Sequence, residues 1–326
     1  MRVVVALGGN ALIRRGEPLD AAVQRANLKT AAAAIAELAE DHQVIVTHGN
    51  GPQVGLLALQ NEAYTPTMPY PLDILDAETE GMVGYLLEQE LGRHLDRDRL
   101  ACLLTQVVVD PLDPAFLTPT KPIGPVYGRD EADLLRTSRD WTLHPDGDGW
   151  RRVVPSPKPC QIVELNTIRL LVDHGIVVIC AGGGGIPVVP DGDDGLRGVE
   201  AVIDKDHSAS LLATRLQADA LLLLTDVDAV YADWATPSAR PIHETTADDL
   251  RGIDAAVGSM GPKIEAVCSF VDSGGSLGAI GALGNAAAIL RGDSGTVVRA
   301  AHTLHQHRRQ RSRVRSKPRG QFDASC

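Results

Sequence analysis

The sequence predicts an α/β protein with a mostly parallel central sheet sandwiched by helices. Short, near-continuous aliphatic runs recur along the chain and end in glycine or polar turns. The segments between them carry apolar residues at helical steps of three and four. With 326 residues and 44% hydrophobic content, the chain can bury a large core. Strands that are apolar throughout, with no alternation, are those of a sheet covered on both faces.

The first run, "VVVALGGN", reads as a strand. The apolar stretch of "MRVVVALGGNAL" meets glycines too soon for a signal peptide and has no cleavage site. Asp20 then caps a helix whose Leu28, Ala31, Ile35 and Leu38 recur on one face. "VIVTHGNG" is the second strand, and its Gly-Asn-Gly turn leads into a helix-like segment. "ACLLTQVVVD", "GIVVICAGGGG", "ALLLLTDVD" and, near the end, "GTVV" follow as strands. Ile264, Val267, Cys268 and Val271 mark a late helix.

Residues 111–159 break this rhythm. They are rich in Pro, Asp and Gly and hold two of the three tryptophans, whereas a βα connection usually takes only about 2–6 residues. A small protruding subdomain or lid is expected there. After residue 299, Arg308, Arg309, Arg311, Arg313, Arg315, Lys317 and Arg319 crowd together without apolar periodicity. This predicts a basic, disordered tail over 300–326.

Composition excludes several function classes. A net charge of −11 and 3% aromatic residues argue against nucleic-acid or anionic-lipid binding over most of the surface. No run approaches the roughly 18 apolar residues of a membrane span. The five cysteines are scattered and form no C-x-x-C pair, so neither a zinc site nor a disulfide framework is expected, and a reducing, cytoplasmic setting fits. "DGDDG" at 191–195 is a turn without the calcium-loop pattern. His302, His305 and His307 in the tail are weak evidence for a metal.

Glycine turns follow three strands: Gly8, Gly9 and Asn10; Gly49, Asn50 and Gly51; and Gly182 to Gly185. Backbone N–H groups at a strand end and helix start point at something negative. No Walker sequence, dinucleotide fingerprint or protein-kinase motif accounts for them. Counter-charge must then come from elsewhere, and lysines are few: Lys29, Lys121, Lys158, Lys205, Lys263 and Lys317. Lys205 lies before a helix that Asp206 can cap. Lys263 follows Pro262 in a first helical turn, where a cation is unfavourable unless an anion sits in front. Lys121, in the insertion, can reach over a site.

Taken in order, these motifs resemble the carbamate kinase family of the amino-acid-kinase fold. They include "ALGGNAL", "VIVTHGNGPQVGLLALQNEAY", "PLDILDAETEGMVGYLL", "TQVVVD", "PTKPIGPVY", "SPKP", "LRGVEAVIDKD", "LLLLTDVDAVY" and "GSMGPKIEA", and the resemblance spans residues 1 to about 298. It implies reversible phosphoryl transfer between ATP and carbamate, giving ADP and carbamoyl phosphate, with ATP/ADP and Mg²⁺ as cofactors. It further implies a cytoplasmic homodimer serving arginine breakdown and ATP production. Lys121, Lys205 and Lys263 map onto the lysines that surround the phosphates, and Asp206 onto the residue that holds them. Gly8, Gly9, Asn10, Gly49, Asn50 and Gly51 map onto the acceptor site. Thr225, Asp226, Asp228, Tyr231, Met260 and Gly261 map onto the nucleotide site.

One domain over 1–299 is thus expected, with an acceptor half to about 215 and a nucleotide half over 216–299. The resemblance assigns no protein metal ligand. His207, Ser208 and Ala229 depart from the family pattern, and the basic tail has no family counterpart. Two alternatives stay open: a related kinase with a larger acceptor, and a silent nucleotide-binding relative.

Overall fold

The computed structural model describes residues 1–9, 12–14, 16–64, 68–139, 141–193, 195–253 and 260–301. Asn10 and nearly all of the basic tail, from 302 onward, lie outside the described residues. The chain begins with β1 (Arg2–Leu7), α1 (Ala21–Asp41), β2 (Gln43–His48), α2 (Gly51–Ala63), α3 (Leu72–Leu91), β3 (Leu100–Cys102) and β4 (Gln106–Val109). It continues through β5 (Lys121–Tyr127), α4 (Arg129–Arg139), β6 (Leu143–Asp146), β7 (Gly149–Val154), β8 (Pro159–Ile162), α5 (Leu165–Asp173) and β9 (Val177–Ile179). Then come β10 (Ile186–Asp191), β11 (Gly195–Gly198), α6 (Lys205–Arg215), β12 (Ala220–Thr225), β13 (Val230–Ala232) and β14 (Arg240–Ile242). The last elements are β15 (Glu244–Thr246), α7 (Ala247–Arg251), α8 (Met260–Asp272), β16 (Leu277–Ala282), α9 (Ala286–Arg291) and β17 (Thr296–Arg299).

The central sheet has the order β15-β17-β16-β12-β1-β2-β9-β3. Its pairs are parallel except β16 with β17. Alternate residues of each strand face opposite sides. Val4 and Ala6 pack with Leu212 of α6 and Val267 of α8 on one face. Val3, Val5 and Leu7 pack with Leu28 and Ile35 of α1 and Leu87 of α3 on the other. Both faces are therefore dry, as strands without alternation require. The Asp20 side chain caps α1 by accepting from Val23 N at 2.8 Å, and the four apolar positions of its predicted face are buried.

One expected strand is in fact two. In "ACLLTQVVVD", β3 joins the central sheet beside β9, whereas β4 joins a four-stranded sheet of order β11-β10-β4-β8. Thr105 makes the switch. Its N–H donates to Glu80 Oε2 at 3.0 Å and its carbonyl accepts from Ile186 N at 2.8 Å, so the backbone leaves one ladder for another. The "DGDDG" stretch lies between β10 and β11, whose ends pair as Asp191 with Gly195, and its Asp194 is outside the described residues.

Within 111–159 the chain forms a three-stranded sheet of order β5-β7-β6. Tyr127, Ala132, Trp141 and Leu143 give it a small core of its own, with Leu59 of α2 packed against it. Where β5 crosses α2, Gly124 meets Gly55 so closely that a Cβ on Gly55 would lie 2.0 Å from the Gly124 Cα. Only two glycines permit that approach. Since β1, β2, β9 and β12 run in parallel, their carboxyl ends share one edge, where open α/β sheets bind ligands.

Candidate active site

The first two glycine turns are neighbours at that edge. Gly8 N donates to Leu224 O at 2.8 Å, and Gly49 N to Leu7 O at 3.1 Å, tying the ends of β1, β2 and β12 together. Asn50 stands at the N-cap position of α2, with Pro52 in its first turn, and Gly51 opens the helix. The third turn, Gly182–Gly185, packs against the second. Gly183 has φ +71°, and a Cβ there would lie 2.2 Å from Asn50 Nδ2, so the Asn50 amide occupies space that only glycine leaves.

The lysines converge on this floor. The Lys205 stem passes over the second turn, its Cδ 3.4 Å from where a Gly49 Cβ would stand. Its Nζ donates to Asp206 Oδ1, and Lys263 Nζ donates to Asp206 Oδ2 at 3.2 Å. One carboxylate thus holds a lysine from α6 and a lysine from α8. Lys205 is 8% exposed and Lys263 6%. Burial pulls the Lys205 ammonium below the usual lysine range, and the Lys263 charge acts the same way, against the pull of Asp206.

The cap of α6 is Asp204, not Asp206 as the sequence suggested. Asp204 Oδ1 accepts from Asp206 N at 2.9 Å. Asp206 already lies inside the helix, so its side chain is available to the lysines. Asp204 Oδ2 also accepts from Lys121 Nζ at the start of β5. Burial pushes the Asp204 carboxyl up, but Lys121 and Lys205 outweigh it and hold the group well below the usual carboxylate range. All three lysines therefore meet at the N-terminus of α6.

Beneath the turns lies a polar layer that was not among the expected site residues. Helix α3 buries Asp76, Thr79 and Glu80. Glu80 Oε1 accepts from Gly182 N at 2.8 Å and Oε2 from Thr105 N, which fixes the third turn. With no cation beside it among the described residues, burial pushes the Glu80 carboxyl up to about 8. Burial pushes the His48 imidazole down to about 4, so it is neutral at pH 7, with Nδ1 3.1 Å from Gly49 O. The signal for this layer was the spacing of Asp76, Thr79 and Glu80, which puts three polar groups on one helical face beside Leu72, Leu75 and Val83.

The residues expected at a nucleotide lie in two places. Thr225 ends β12 and donates its hydroxyl to Asp226 Oδ1 at 2.9 Å, while the Tyr231 hydroxyl donates to Asp228 Oδ1 at 3.0 Å. Those bonds stay within the segment after β12 and do not reach the lysines. Met260 and Gly261 begin α8, one turn ahead of Lys263.

This arrangement can hold a small anion on a floor of backbone N–H groups and a polyanion under the lysines. A family profile described as "Amino acid kinase family" matches residues 1–280. The carbamate kinase of Rhizobium meliloti is 55% identical over 301 residues, covering 91% of this chain and 93% of that one. The structure of carbamate kinase from Giardia lamblia bound to citric acid superposes with a TM-score of 0.86 at 38% identity, over 92% of this chain and 98% of that one. The same protein bound to AMP-PNP gives 0.83 at the same identity and the same coverage.

Proposed function

Since the chain belongs to the amino acid kinase family and, within it, to the carbamate kinases, we propose that the glycine turns hold the acceptor and that Lys121, Lys205 and Lys263 hold the phosphates. The reaction is reversible phosphoryl transfer between ATP and carbamate, giving ADP and carbamoyl phosphate. One observation carries the residue assignment: Asp206 joins Lys205 and Lys263, and the Lys205 stem crosses the second glycine turn.

Carbamate is already an anion at neutral pH, so its oxygen attacks the γ-phosphorus without a general base. The bond to the leaving oxygen of ADP breaks as the new one forms, and catalysis reduces to positioning and charge stabilisation. Gly9 and Asn10 of the first turn and Asn50 and Gly51 of the second orient carbamate through backbone N–H groups, while Gly8 and Gly49, whose N–H groups bond to Leu224 O and Leu7 O, hold the two turns beside it. Lys205 and Lys263 stabilise charge on the transferring group, Asp206 sets their separation, and Lys121 closes the third side. Thr225, Asp226, Asp228, Tyr231, Met260 and Gly261 line the nucleotide.

A Mg²⁺ ion fits as a companion of the nucleotide. Such an ion keeps phosphate and water oxygens as ligands, and the exposed carboxylates Asp226 and Asp228 are the oxygen donors that would meet it. Bound there, it supplies neutralisation of phosphate charge. Residues 111–159 act as a small subdomain that brings Lys121 to the site, within a domain over 1–299 divided near residue 215. A homodimer in the cytoplasm, working in arginine breakdown and making ATP, is the setting we assign.

The test is ATP formation from carbamoyl phosphate and Mg-ADP, read by coupled luminescence on full-length and tail-deleted protein. Turnover in both is expected. No ATP from folded protein would overturn the assignment.

A further inference from the structure

Helix α3 buries three polar side chains against the glycine turns, and they do different things. Both oxygens of Glu80 serve backbone N–H groups. Asp76 and Thr79 turn instead to Asn50. Asn50 Nδ2 donates to Asp76 Oδ1 at 2.9 Å and to Thr79 Oγ1 at 2.9 Å. The Thr79 hydroxyl hydrogen is directed at the helix carbonyls of Leu75, at 2.9 Å, and Asp76, at 3.0 Å, so toward Asn50 its oxygen can only accept.

This settles which way the Asn50 amide faces. Both its hydrogens are committed to α3, leaving Oδ1 as an acceptor that no donor among the described residues reaches. The arrangement is costly for a purely structural purpose. Asp76 is 1% exposed and its Oδ2 has no partner among the described residues, so an apolar side chain of similar volume would serve the core better.

We propose that Asn50 Oδ1 accepts a hydrogen bond from the amino group of carbamate, and that Asp76 and Thr79 are positioning residues that hold the amide in that orientation. The inference rests on the carbamate kinase reading and deepens it. Carbamate and acetate share a carboxylate and differ in having an amino or a methyl group. The backbone N–H groups of the turns bind only acceptors and cannot tell them apart. An oriented acceptor can, because a methyl group would leave it unpaired.

The experiment compares kcat/KM for ATP formation from carbamoyl phosphate and from acetyl phosphate, both with Mg-ADP. In Asp76→Leu the preference for carbamoyl phosphate should fall by about ten-fold or more, the scale of one lost selective hydrogen bond. The fall should come from the carbamoyl phosphate arm, with acetyl phosphate little changed. Thr79→Val, close in volume, should lower the preference in the same direction and keeps the test open if Asp76→Leu fails to fold. Equal loss on both substrates, or an unchanged preference, would overturn the role of the pair. No ATP from carbamoyl phosphate with the unmodified chain is a separate result, and it would overturn the reading on which this inference rests.

Discussion

Three lysines meet at the site, but they come from two differently built regions. Lys205 and Lys263 stand on helices of the central layer, are almost fully buried and share one carboxylate. Lys121 stands on the three-stranded sheet, keeps 23% of its side chain exposed and has a carboxylate of its own. The Lys121–Asp204 pair is neutral. Lys205 and Lys263 bring two positive charges to one aspartate under cover, at the positive ends of α6 and α8. Burying two like charges side by side there opposes stability. A phosphate held as proposed would offset that cost. On the proposed assignment, the region that carries this cost is the one where negative charge develops during transfer.

Perturbing the two regions should therefore have unequal effects on turnover. Asp206→Asn takes the largest toll, because it removes the carboxylate that two buried ammoniums share. It should cost about 3–5 kcal/mol of stability along with most of the activity, as read by denaturant unfolding and turnover on the same sample.

Lys121→Ala should lower kcat/KM less, by roughly ten-fold, because a partly solvated cation is screened. Gly55→Ala should mimic it without touching any lysine. Its Cβ would strike Gly124 and force β5, and Lys121 with it, away from α2. A Gly55→Ala enzyme with normal kcat/KM would show that the contact does not position Lys121.

The smallest effect on turnover belongs to Glu80, in the layer beneath. Burial raises the Glu80 pKa from 4.5 to about 8. Its contribution to stability is therefore fully present below about pH 4.5 and is lost as pH rises through 8. Unfolding free energy should carry a downward slope across that window, and Glu80→Gln should remove the slope. An identical pH profile in the variant would place the titration elsewhere.

The same contrast separates what the sequence made legible from what it hid. Strands ending in glycine, the helix after Asp20 and the lysine motifs are local patterns, and a chain read locally reveals them. Which sheet a strand joins is not local. The run from Ala101 to Val109 is evenly apolar except at Thr105 and Gln106, and the bond that splits it comes from Glu80, on a preceding helix. Asp204 and Asp206 are equally good caps on paper. The backbone makes Asp204 the cap, and the carboxylate two residues on goes to the lysines. Asp76 and Thr79 were hidden because polar residues on a helix usually face water, and only the fold brings them to Asn50. The nucleotide-side residues could be recognised through family motifs alone, since their own spacing marks no chemistry.

The most direct test pairs turnover with unfolding free energy in Lys263→Ala, measured in one buffer. If the two buried ammoniums serve the phosphate, kcat falls by about 10²-fold or more. Stability in the same variant is unchanged or higher, because Lys205 keeps Asp206 and is relieved of the repulsion of a second ammonium. Normal turnover, or a stability loss that accompanies the loss of activity, would contradict the account and make Lys263 a structural residue.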